Sequence, residues 1–71
     1  MAIYGCLYDE EKIDFAYTQI KGCVGKAEKE NWEIEGLYFD ILYNDPIKKA
    51  KAKEDITQFV KVNYPKIKIM I

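Results

Sequence analysis

The stretch Ala2-Ile3-Tyr4-Gly5-Cys6-Leu7-Tyr8, followed at once by Asp9-Glu10-Glu11, decides how this chain is read. Ile3, Tyr4, Cys6 and Leu7 are apolar without strict alternation, the pattern of a strand covered on both faces. Gly5 in its middle points to the close approach of a neighbouring helix or strand. The three acidic residues stand where a helix begins, a position that the helix macrodipole favours. In a small α/β domain such a strand is expected at the centre of the sheet. Its C-terminal end is where a ligand or reacting group is presented. Cys6 and Tyr8 therefore carry weight in any functional reading.

Outward from this strand, Ile13, Ala16, Tyr17, Ile20, Cys23, Val24 and Ala27 form one apolar stripe at helical period. Gly22 and Gly25 either mark tight packing on a sheet or weaken the helix. Asn31 suits the left-handed residue that ends it. Trp32 to Asp40 reads as a second strand whose first half alternates apolar and acidic, extended by Ile41-Leu42-Tyr43. Asn44-Asp45-Pro46 is a break, with Asp45 as N-cap and Pro46 at the first helical position. A second helix carries Lys48, Lys49, Lys51 and Lys53, then Ile56, Phe59 and Val60, and ends at Asn63-Tyr64-Pro65. Lys66-Ile67-Lys68-Ile69-Met70-Ile71 alternates cleanly as a third strand, and its lysines mark it as an edge.

The order is β-α-β-α-β over a single domain, residues 1–71. Right-handed crossovers make this a three-stranded parallel sheet, for which strand order 2-1-3 is expected. The expected core is Ile3, Cys6, Leu7, Ile20, Cys23, Val24, Ile34, Leu37, Ile56, Phe59, Val60, Ile67 and Ile69.

Composition narrows function mainly by exclusion. The chain has 71 residues, 49% of them apolar, and a net charge of −1 from 11 basic and 12 acidic side chains. Every basic residue is Lys; there is no Arg, no His and no Ser. That removes Ser-His and Cys-His nucleophile pairs and bidentate phosphate clamps, so no enzymatic activity is expected. Cys6 and Cys23 match no metal spacing and read as small buried hydrophobes. Asp9, Glu10 and Asp40 invite a magnesium site, but helix-start stabilisation explains the first two, and neither metal nor cofactor is expected. No apolar run is long enough to span a membrane and no leader is evident, which favours the cytoplasm.

Several words in this order resemble the N-terminal part of the serine recombinase (resolvase/invertase) catalytic domain. They are Ala2-Ile3-Tyr4, Gln19-Ile20 with Cys23, and Ala27-Glu28-Lys29-Glu30-Asn31-Trp32-Glu33-Ile34 followed by Tyr38-Phe39-Asp40. Ile56-Thr57-Gln58-Phe59-Val60 resembles the family's second helix and Lys66 to Ile71 its third strand. The likeness spans nearly all of this chain but about half of the family's catalytic domain. In that family the first strand ends in an arginine and a nucleophilic serine; by position these fall on Cys6 and Tyr8. The resemblance thus implies a resolvase-like fold with a degenerate, inactive site.

Three expectations follow for partners. The first is a non-catalytic protein-interaction module, of phage or mobile-element origin, that modulates a recombinase or inhibits a host defence protein. Its homodimer would form through the edge strand, with Lys66, Ile67, Lys68, Ile69 and Ile71 at the interface. The second is a nucleic-acid binder using Lys48, Lys49, Lys51, Lys53 and Lys61 with Tyr43 and Tyr64, which the net charge weakens. The third is a folded remnant of a recombinase gene.

Overall fold

The computed structural model describes all 71 residues and has five elements in the expected order. Strand β1 runs Ala2–Tyr8, helix α1 Ile13–Lys29, strand β2 Gly36–Leu42, helix α2 Pro46–Asn63 and strand β3 Lys68–Met70. Both strand pairs are parallel. The sheet order, however, is β1-β2-β3 and not 2-1-3. The central strand is β2, and β1 is an edge. Two right-handed crossovers that step in the same direction leave their helices on the same side of a sheet, whereas order 2-1-3 would have placed one helix on each.

Burial follows from this. Ile3 and Leu7 of β1, with Leu37, Phe39 and Ile41 of β2, face the helices and are buried. Tyr4, Tyr8, Tyr38, Asp40, Leu42, Lys68 and Met70, on the opposite side, are exposed. The core closes with Ala16, Ile20 and Val24 from α1 and Ala52, Ile56 and Val60 from α2. Phe39, Ile41, Ala16, Ala27 and Ala52 are buried members that the sequence reading did not select.

Two expected core residues are corrected outright. Cys23 is exposed and Cys6 only half-buried. Cys23 lies on the flank of α1 toward β1, and with β1 at the edge no further strand stands beyond it. Ile34, Phe59, Ile67 and Ile69 are half-buried at the rim of the core. Of the residues expected at an edge-strand interface, Lys68 and Ile71 are exposed, and Lys66 lies outside the strand.

Local chemistry sets the ends of the elements. Asp9-Glu10-Glu11 is a turn, not the first turn of α1, which starts at Ile13 after Lys12. Helix α1 ends in a Schellman motif: Asn31 takes φ 58°, its N–H donates to Glu28 O at 3.2 Å, and the Trp32 N–H donates to Ala27 O at 2.8 Å. The Asp45 carboxylate accepts the Ile47 N–H at 2.9 Å, with Pro46 opening α2 as expected. Strand β2 begins only at Gly36. Ahead of it the N-terminal amine donates to Glu33 O at 3.0 Å and the Glu35 N–H to Met1 O at 2.9 Å.

Candidate functional site

At the C-terminal ends of the strands, where α/β sheets commonly place chemistry, the loops are joined to one another. Asp9 accepts both the backbone N–H and the side-chain amide of Asn44, at 3.0 and 3.2 Å. The Tyr43 hydroxyl donates to Glu11 O at 2.8 Å. The Glu11 carboxylate accepts the Tyr8 N–H at 2.9 Å, and the Glu11 N–H donates to Tyr8 O at 3.0 Å. Of the carboxylates Asp9, Glu10 and Asp40, Asp9 is thus committed to the two Asn44 donors. No three metal-ligating side chains come together anywhere in the chain.

Cys6 and Tyr8 share the outer side of β1. The Cys6 thiol beside the Tyr8 hydroxyl raises its pKa, and burial and the nearby Glu11 and Glu10 add to this.

The lysines do not form one surface. Lys48 and Lys51 line an open depression of about 410 Å³ with Lys12, Asp14, Tyr43 and Asp55; Lys49 and Lys53 do not. Two carboxylates among three ammonium groups leave little net field for a polyanion. Tyr43 lines that depression with its hydroxyl tied to Glu11 O, while Tyr64 sits edge-on to Phe59 at 6.1 Å, away from it.

The outer face of the sheet has no element packed on it. The register sets Tyr4 beside Tyr38 beside Met70 in one row, Ala2, Gly36 and Lys68 in the row before, and Cys6 with Asp40 in the row after. Tyr8 and Leu42 complete it. Tyr4 is 76% exposed, in the middle of a strand. The Tyr4 and Tyr38 rings are nearly parallel, at 14°, with centroids 5.1 Å apart. That separation is close to the spacing of neighbouring strands, so the two rings stack side by side across the β1–β2 ladder.

Sequence reasoning missed this face because it treated β1 as central. The signal was present: the outward positions of β1 carry Tyr4 and Tyr8, whose phenol ends tolerate water. No helix is long and apolar enough to cross a membrane. Comparison of the chain with protein-family models, characterised proteins and solved structures gives no match.

Proposed function

We propose that this chain is a non-catalytic binding module that acts by protein contact through the outer face of its sheet. The observation that carries the reading is the one-sided burial of the sheet: Tyr4, Tyr8, Tyr38, Leu42 and Met70 all lie exposed on that face. Contiguous apolar surface rimmed by charge marks interaction sites more often than idle surface. Two further facts support it. The strand ends are occupied by internal hydrogen bonds, and the chain holds no Arg, His or Ser.

Kinship with serine recombinases, and with it a role in modulating a recombinase or a host defence protein, rests on the sequence words alone. The observed strand order differs from the order 2-1-3 expected with that resemblance. The test is capture of interacting protein from a lysate by the tagged chain, with a Tyr4→Thr/Tyr38→Thr variant alongside. Threonine suits an exposed strand position, so far-ultraviolet circular dichroism should be unchanged. The expected result is a stoichiometric protein captured by the parent chain and lost in the variant. Capture that survives the variant would refute the assignment to this face. A mobility shift with single-stranded nucleic acid at low salt, abolished by Lys48→Gln/Lys51→Gln, would replace the reading with the lysine-dependent one.

A further inference from the structure

We propose that the occupant of the outer sheet face is a second copy of this chain, packed face to face about a two-fold axis. This rests on the reading above and names its partner. The face is self-complementary in charge. Its two charged side chains, Asp40 and Lys68, lie on opposite sides of the Tyr4-Tyr38-Met70 row: Asp40 one row beyond it on β2, Lys68 one row before it on β3, in register with Gly36. Both are exposed.

A two-fold axis lying between the sheets, along the Tyr4-Tyr38-Met70 row, exchanges the row before with the row after. Tyr38 then meets Tyr38 of the partner subunit, and Tyr4 and Met70 likewise meet their equivalents. Asp40 of the partner subunit comes over Gly36, one strand from Lys68. The same pairing recurs by symmetry, so both acids meet both lysines. Gly36 itself lies beneath Met70 Cε and the Tyr38 ring, 3.9 and 4.0 Å from where a Cβ would stand, so the partner's carboxylate reaches toward Lys68 above these side chains. The alternative rotation, about an axis along β2, keeps Asp40 in its own row, facing Asp40 of the partner subunit, and is disfavoured by like charge.

The face also sets the strength. Three strands of up to seven residues give a footprint on the order of 300 Å², from the strand spacing and rise. That is below the roughly 800 Å² per partner of a standard interface. The dimer is accordingly weak and reversible.

Sedimentation velocity of the full chain, from about 10 µM to about 1 mM to bracket a small interface, tests this. The expected result is a shift from the 8.3 kDa monomer toward twice that mass. Asp40→Lys and Lys68→Asp should each weaken the dimer at least about tenfold through like charge. The combined variant, which reverses both pairs, should restore it. Dilution of the unaltered protein, followed by amide chemical shifts, reads the same interface without substitution: Tyr4, Tyr38, Asp40 and Met70 should move and the amides of α1 and α2 should not. A chain monomeric at the highest concentration overturns the inference. So does a dimer indifferent to both charge changes, or one whose shifts fall on other surfaces. Lysate capture that depends on Tyr4 and Tyr38 while the chain stays monomeric would overturn this inference alone and leave the protein-contact reading standing.

Discussion

Gly5 illustrates what one residue decides. The sequence reading asked of it a close neighbour, and the neighbour is the Phe39 ring, paired to Gly5 across the β1–β2 ladder. A Cβ at Gly5 would stand 2.6 Å from Phe39 Cε2, 2.8 Å from Cδ2 and 3.3 Å from Gln19 Oε1. Phe39 is buried and cannot swing outward. Gly5→Ala should therefore destabilise the domain by about 1–3 kcal/mol, the range of overpacked cores. Urea denaturation measures it. A Gly5→Ala/Phe39→Leu double variant should lose less than the sum of its two single changes, because the smaller side chain yields the space. Strict additivity would show that the two positions do not press on one another. The same neighbourhood explains why Cys6 was misread. Nothing in a Cys codes for burial by itself; its side chain points to the uncovered side of β1, and its carbonyl accepts from Gln19 Nε2 at 2.8 Å.

At the scale of elements the sequence was legible wherever the cue was local. The Asp45-Pro46 start of α2, the Asn31 stop of α1 and the limits of β1 are matters of cap chemistry and backbone preference, and all are found. The start of α1 was missed because Asp9 and Glu11 bind partners outside the helix, Asn44 and the Tyr8 N–H. A first-turn carboxylate and a loop carboxylate look alike in sequence. Gly22 and Gly25 were left between two readings, and the structure separates them: a Cβ at either meets nothing within 4 Å. They weaken the helix without serving packing. Gly22→Ala and Gly25→Ala should each stabilise by roughly 0.5–1 kcal/mol. For a domain of this size the pair should raise the melting temperature by about 4–16 °C. No rise in thermal melting would mean that these glycines meet a surface absent from the isolated chain.

For the whole molecule, strand order is set by which faces are covered, and that is a non-local property. Continuous apolar strands fit order 2-1-3 and order 1-2-3 equally until tyrosine on an outward face is weighed as semi-exposed. The fold also has a directional response to pH, carried by three tyrosines. Tyr17 and Tyr43 have raised pKa values, in both cases first through burial, then through Asp55 and Asp14 for Tyr17 and through Asp9 and Glu11 for Tyr43. Tyr8 is raised as well, chiefly by Cys6. In the unfolded chain these phenols ionise near the ordinary value of 10.0. Above that pH the unfolded state has released protons that the folded state still holds, so stability falls as pH rises. The contribution of these groups is fully present below pH 10.0 and disappears as pH climbs through their higher folded values. Urea midpoints measured from about pH 8 to about pH 11, spanning the tyrosine range, should be level at first and then drop, with tyrosinate absorbance rising at the unfolding transition. Tyr17→Phe/Tyr43→Phe should lower the midpoint at neutral pH, because the hydrogen bond to Glu11 O is lost. It should also flatten the alkaline fall, because these two half-buried phenols no longer titrate. A fall of undiminished steepness in that variant would place the alkaline weakness in the lysines instead.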